Sequence, residues 1–249
     1  MSLIVSQPIN NISYIIKNRT DFIQSYLVDG KQWNDEIITI IKNYFFNKRL
    51  GHLVNIGAHI GTVSLPLSLY VNKITAIEAY PPTYNHLCEN IKYNNINNII
   101  TYNIAVGNKN DHVYFMSEDK ICPKENINRI KTNSGGMHVF TEEDIQYNRR
   151  SANLTDKKMK VEMCKFDDLD INNFDIMLVD IEGFEYEFLL GAKERLIKNK
   201  PIIIIEIWNN YKRQLENMST TQEYIINFIQ SLNYKLVKKL GDDFIFESY

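Results

Sequence analysis

Between residues 52 and 106 the sequence alternates short apolar runs with helix-forming stretches, and this alternation constrains the fold more than any other feature. Residues 52–56 form a short apolar run that ends in Gly57. Residues 62–70 have a helical pattern, and residues 73–78 make a second short run. Pro81-Pro82 stops it and opens a helix to about Tyr93, because the first helical N–H has no partner within the helix and proline lacks one. Residues 99–106 supply a third strand. Strand, helix, strand, helix, strand is the pattern of βαβ units around a parallel sheet. It returns later: 174–180 as a buried strand, 185–198 as a helix, 201–207 as a buried strand and 221–232 as a helix. Residues 234–240, the turn Gly241-Asp242-Asp243 and residues 244–247 close the chain as a β-hairpin. Five parallel-type strands plus this antiparallel hairpin predict an α/β, Rossmann-like, seven-stranded and mostly parallel sheet.

Two segments stand outside that rhythm. Residues 1–50 are an N-terminal extension packed on the core. In it, 13–17 and 21–28 are strand-like around the polar turn Asn18-Arg19-Thr20. Residues 33–46 place Trp33, Ile37, Ile38, Ile41, Tyr44 and Phe45 on one helical face. Residues 51–249 are the main domain, with an insertion at about 108–160. Within the insertion, 112–116 alternates like a strand, 118–134 is polar, and 142–158 has the charge of an exposed helix and loop. A chain of 249 residues suits one α/β domain and needs no covalent staples. A net charge of −2 argues against a protein held to nucleic acid mainly through phosphates, although a local basic patch is compatible with it, so no nucleic-acid partner is expected. Cys88, Cys122 and Cys164 form no Cys-x-x-Cys pair, which points to a reduced, cytoplasmic setting. The start MSLIVSQPINN lacks a basic leader region, and the apolar run 202–205 is too short to span a bilayer, so no membrane association is expected.

Four elements carry chemistry. Asn55-Ile56-Gly57-Ala58-His59-Ile60-Gly61 runs from a buried strand into a helix, where glycine permits a sharp turn and close approach to a ligand. A plain strand-to-helix turn would use the same glycines. Glu78 ends the next strand, where an acid can accept both ribose hydroxyls of an adenosine. His59 and Thr62 break the G-x-G-x-x-G spacing, which counts against NAD and an oxidoreductase. Asp180-Ile181-Glu182-Gly183-Phe184-Glu185 follows a buried strand, at the edge where parallel sheets hold ligands. Helix capping is the bland alternative for those acids. Glu206 ends the apolar strand 202–206 and needs either a pocket or a partner. His86 reads as a helix-surface residue and His52 as a residue just before a strand, both without a role.

The glycine turn, Ile77-Glu78, Asn103-Ile104-Ala105-Val106-Gly107, Asn133-Ser134-Gly135-Gly136, Asp180-Ile181-Glu182-Gly183-Phe184-Glu185 and Ile204-Ile205-Glu206-Ile207 occur in the order of the FkbM family, which the chain resembles from about Trp33 to about Trp208. The seven-stranded sheet with its terminal hairpin is likewise similar to that of methyltransferases dependent on S-adenosylmethionine (SAM). The resemblance implies that SAM is the cofactor, converted to S-adenosylhomocysteine. It places Gly57, Ala58 and Gly61 around the methionine part, with Asn55 and His59 on the same turn. It puts Glu78 on the ribose with Ala79 beside it, and Asn103 and Ala105 at the adenine. Asp180 and Glu182 would face the methyl group and the acceptor, Asp180 also bordering the cofactor. Two departures stand out: Asn55 replaces an expected Asp, and Leu178 stands where lysine is often found.

Methyl transfer to a hydroxyl benefits from a base, and the candidates are Asp180, Glu182, Glu206 and His138. Asp180 with Glu182 or Glu206 also has donors suited to Mg²⁺, although no motif demands a metal and none is expected. The expected acceptor is a small hydroxyl compound, a sugar or nucleotide-sugar, shaped by Tyr114, Phe115, Phe140, Tyr147, Arg129, Arg149 and Arg150. The alternatives are an RNA ribose or cap methyltransferase and a SAM-binding protein without activity.

Overall fold

The computed structural model describes residues 4–46, 51–116, 133–146 and 158–249. In chain order its elements are α1 (Phe22–Val28), α2 (Asp35–Phe46), β1 (His52–Ile56), α3 (Ser64–Leu67), β2 (Lys73–Ile77), α4 (Pro81–Tyr93), β3 (Ile99–Tyr102), β4 (Ala105–Val106), β5 (Asp111–Met116), α5 (Glu142–Gln146), β6 (Lys158–Cys164), β7 (Ile176–Val179), α6 (Glu185–Gly191), α7 (Lys193–Asn199), β8 (Ile202–Glu206), α8 (Asn210–Leu215), α9 (Gln222–Ser231), β9 (Tyr234–Leu240) and β10 (Asp243–Ser248). The main sheet has seven strands in the order β3-β2-β1-β7-β8-β10-β9. The first five are parallel, and β10 runs antiparallel to both β8 and β9. This is the mixed α/β sheet with a terminal hairpin that the sequence predicts.

Burial on both faces explains the near-continuous apolar strands. Alternate residues point to opposite faces. Leu53, Ile74, Ile176, Leu178 and Ile204 pack on one side with Ile37, Ile41, Leu65 and Leu87. Val54, Ile77, Met177, Val179, Ile203 and Ile205 pack on the other with Phe188, Leu196, Ile225 and Ile229. Among the described residues, no helix is long and apolar enough to cross a membrane.

Several local expectations need correction. Residues 22–28 form helix α1, not a strand. The Asp21 carboxylate caps it by accepting from Gln24 N at 3.0 Å, and Ile23 and Leu27 are buried one turn apart. Residues 13–17 make only the isolated bridge Val5↔Ile15 rather than a sheet strand. Side chains of α4 hold them instead: Asn94 Oδ1 accepts from Ser13 N, Asn90 Oδ1 from Ile15 N, and His86 Nε2 bonds Ile15 O at 2.8 Å. His86 is therefore buried, at 4% exposure, and not on the surface. The expected strand 99–106 divides in two. Asn103 Nδ2 donates to Glu78 O and Ala79 O at the break, and β4 leaves the main sheet to pair with β6. The helix expected at 185–198 breaks after Gly191, where an added Cβ would lie 1.8 Å from Gly107 O, so two backbones meet there. The helix expected at 62–70 shrinks to α3.

Strand β6 and helix α8 were not foreseen. Around the insertion, β4, β6 and β5 form a second sheet, with β4 before it and β6 running past its end. Its core of Val113, Phe115, Val161 and Met163 packs on Tyr80, Ala105 and Phe184, so it walls the carboxyl edge of the main sheet. Cys122, Arg129, Tyr147, Arg149 and Arg150 lie outside the described residues.

A buried ion pair joins α6 to α8. Arg213, 2% exposed, lies 3.6 Å from Glu185 Oε2 and donates from Nε to Thr220 O. The other Glu185 oxygen accepts from Gly183 N at 2.6 Å. Replacing Arg213 with Leu leaves a buried carboxylate without its cation, and is expected to cost about 3–5 kcal/mol of unfolding free energy. Urea denaturation checks this; a loss below about 1 kcal/mol would contradict the role given to the pair.

Candidate active site

Strand β1 runs into a turn whose backbone is left-handed at three places, Gly57 (φ 83°), His59 (φ 50°) and Gly61 (φ 93°). Gly57 N and Ala58 N both donate to Ile77 O at 2.9 Å, which folds the turn over the end of β2. A Cβ on Gly57 would stand 1.7 Å from Asp180 O, so only glycine allows the turn to lie against β7. Gly61 serves a different end. Its missing Cβ makes room for Leu65 and Leu87 beneath the turn.

Glu78 locks this geometry. Its Oε2 accepts from His59 N at 2.9 Å and its Oε1 from Tyr80 N at 2.8 Å. Burial raises its pKa to about 7, against the pull of those two N–H groups. Each carboxylate oxygen still has a lone pair for a hydroxyl. A cavity opens here, lined by Asn55, Gly57, Ala58, His59, Glu78 and Ala79. Ala105, Phe115 and Phe184 supply an apolar wall, and Phe22, Ile23 and Trp33 of the N-terminal segment close another side.

Three acids meet at the far end of that cavity. Carboxylate oxygens of Asp180, Glu182 and Glu206 all lie within 4.8 Å of one another. Glu182 has φ 52°, an unusual value for a residue with a side chain, and Gly183 follows at φ 95°. Asp180 is held well above the usual carboxylate range, first by burial and then by the charges of Glu206 and Glu182. Burial, followed by the Glu206 charge, pushes Glu182 up to about 8 against the pull of Lys212. Burial also raises Glu206, opposed by Lys212, by the Trp208 N–H and by a hydrogen bond with Asp180. Trp208 Nε1 donates to Glu206 Oε2 at 3.2 Å. Lys212 Nζ lies 3.6 Å from Glu182 Oε2 and 3.5 Å from the centre of the Trp208 ring. The trio is a donor set of the kind divalent cations use. The Lys212 ammonium already places a positive charge beside it.

The sequence model of the methyltransferase FkbM domain matches residues 55–236, which contain the glycine turn, Glu78 and the acidic trio. The chain belongs to the FkbM methyltransferase family. It matches none of the curated proteins. A methyltransferase FkbM structure from Methylobacillus flagellatus KT superposes with a TM-score of 0.51 at 16% identity, over 80% of this chain and 44% of that one. This chain thus spans less than half of that protein's length. M. jannaschii TYW2 in complex with AdoMet gives a TM-score of 0.44 at 17% identity, over 96% of this chain and 84% of that one. A putative caffeoyl-CoA O-methyltransferase from Staphylococcus aureus gives 0.47 at 11%, over 87% and 85%.

Within this FkbM chain, ten of the thirteen candidate catalytic and cofactor residues line this cavity. They are the six named above, Ala105, Asp180, Glu182 and Glu206. Gly61, Asn103 and His138 do not. Gly61 packs below the turn, and Asn103 ties the ends of β2 and β3. His138 Nδ1 is 3.1 Å from Glu182 O, and its ring stands edge-on to Trp208. Leu178, where lysine was expected, is buried in β7 and lines the cavity. The cation near the acids comes instead from Lys212 on α8. Sequence reasoning missed Lys212 and Asp21, although Asn209 and Asp21 are ordinary helix N-cap residues that announce both short helices.

Proposed function

We propose that this chain is a SAM-dependent O-methyltransferase acting on a hydroxyl group of a small neutral polyol, a sugar before other acceptors. The observation that carries it is the acidic trio at the end of the cavity whose other end holds Glu78. The residues present fit SAM. Glu78 Oε2 is bound to the glycine turn, the small residues Ala79 and Ala105 line the cavity beside it, and His59 Nδ1 and Asn133 Oδ1 are buried polar atoms without partners among the described residues. Bound SAM supplies an electrophilic methyl group on a sulfonium.

The chain's own work is positioning and proton handling. Positioning two reactants supplies roughly 7–11 kcal/mol. Glu206 is the member of the trio best supported as a carboxylate, since Lys212, the Trp208 N–H and Asp180 all favour its charged form. Glu206 therefore takes the acceptor's hydroxyl proton, while Asp180 keeps its own and donates to Glu206. Among the described residues no lysine or arginine lines this cavity, so it offers no cationic clamp for a phosphate, which favours a neutral hydroxyl over an anionic one. In a nucleotide-sugar the sugar would enter the acidic end and the phosphates would stay outside.

A screen of sugars and nucleotide-sugars with methyl-labelled SAM tests the reading. Label in a sugar hydroxyl supports it. Binding of SAM with no transfer to any hydroxyl acceptor would favour a SAM-binding protein without activity. The pH profile has a definite sign. The base must be ionised, and burial raises Glu206 above its ordinary value, so kcat/KM should climb as pH rises through the ionisation of Glu206 and level off above it. A rate that falls across that range would contradict a carboxylate base.

A further inference from the structure

The turn at Ser134–Gly136 and the N-terminal segment build a second polar cluster at the cavity, apart from the acidic trio. Asp21 is 1% exposed. One of its carboxylate oxygens caps α1 and the other accepts from Ser134 N at 2.7 Å. Ser134 Oγ lies 2.9 Å from His59 Nε2. Gly135 sits so close under α1 that an added Cβ would be 2.3 Å from Ile23 Cδ1. The result is a continuous chain, Asp21 to Ser134 to His59, that fixes the imidazole at the cavity wall. Asn133, next to Ser134, lines the same cavity.

Two atoms of this cluster are left over. Among the described residues, His59 Nδ1 and Asn133 Oδ1 are buried and have no hydrogen-bond partner. A buried polar atom without a partner is costly, so a built cluster with two of them points to a ligand that supplies the missing groups. Burial holds the His59 pKa down at about 4, so the ring is neutral and has one N–H to offer. Asn55 is a weaker partner for an ammonium than a carboxylate would be. Its side-chain amide donates to Ser64 Oγ at 2.8 Å, and it lacks the charge of the aspartate expected there.

Resting on the SAM reading above, we propose that His59 and Asn133 hold the amino-acid end of SAM. Asn133 Oδ1 accepts from the α-ammonium. The Ser134 hydroxyl donates to His59 Nε2, which leaves the ring hydrogen on Nδ1 to donate to the α-carboxylate. Asp21 acts as a positioning residue through Ser134. The recognition thereby shifts from the position of Asn55 to a device built partly from residues 4–46, which lie outside the family match at 55–236.

Calorimetric titration with two nucleosides separates this inference from the cofactor assignment. S-Adenosylhomocysteine carries the amino-acid end; 5′-methylthioadenosine has the same adenosine and thioether without it. His59→Asn tolerates the left-handed backbone at that position. It and Asn133→Ala should each weaken S-adenosylhomocysteine by at least about tenfold and leave 5′-methylthioadenosine within about twofold of wild type. Ser134→Ala should give a smaller loss of the same selective kind. The unchanged nucleoside also reports that each variant is folded. If S-adenosylhomocysteine binding is unaffected in both variants, or if both ligands weaken in equal proportion, the inference is overturned while SAM binding stands. If wild type binds neither ligand, the cofactor assignment itself fails and takes the inference with it.

Discussion

Glu206→Gln is expected to reduce methyl transfer by about 10²–10⁴-fold and to leave S-adenosylhomocysteine affinity nearly unchanged. The amide is almost the same size as the carboxylate and can still accept from Trp208 Nε1. What it loses is the ability to take a proton. Asp180→Asn offers the informative contrast. An asparagine at that position still donates to Glu206, so more activity should survive there than in Asp180→Ala, which removes the donor. Single-turnover rates with saturating SAM make the comparison, because they isolate the chemical step from binding. Equal losses in Glu206→Gln and in a neutral change elsewhere on the cavity wall would remove Glu206 from the role of base.

Gly57→Ala is expected to have the largest structural effect. The new methyl would meet the Asp180 carbonyl oxygen at 1.7 Å, and that atom is backbone, so nothing can swing aside. The residue also sits at φ 83°, a region alanine disfavours. Asp180 N is tied to Ile56 O, so a shift at residue 57 spreads to the acidic end of the site. The variant should lose roughly 3 kcal/mol or more of stability and its nucleoside binding together. Gly241→Ala is the control. It also has a positive φ, 60°, but an added Cβ meets nothing within 4 Å, so it should cost only about 1 kcal/mol. Similar losses in both variants would mean that backbone conformation, and not the contact with Asp180, dominates at Gly57.

The parallel core was legible because β1, β2, β7 and β8 are largely buried and read as mostly apolar runs that end in Gly57, Glu78, Asp180 and Glu206. The candidate site residues sit at those ends, so one pattern points to the strand ends and to the candidate site together. The N-terminal segment was harder to read. Residues 22–28 contain enough β-branched and aromatic side chains to resemble a strand, and only the cap at Asp21 and the spacing of Ile23 and Leu27 reveal the helix. The contacts from His86, Asn90 and Asn94 to Ser13 and Ile15 join positions about eighty residues apart, and local pattern carries no such information. Two asparagines of α4, Asn90 and Asn94, thus hold the backbone of the extension. Lys212 was invisible for a similar reason. Its meaning depends on Glu182 and Trp208, which only the folded chain brings to it.

The central claim is that the cavity between the glycine turn and Glu78 holds the adenosine of SAM. Isothermal titration of the full chain with S-adenosylhomocysteine, with NADH in parallel and Glu78→Ala as the variant, tests it most directly. The prediction is micromolar binding of S-adenosylhomocysteine, no binding of NADH, and a loss of about tenfold or more in the variant, which removes both side-chain acceptors for the ribose hydroxyls. No binding of S-adenosylhomocysteine, or binding that Glu78→Ala leaves untouched, would contradict it.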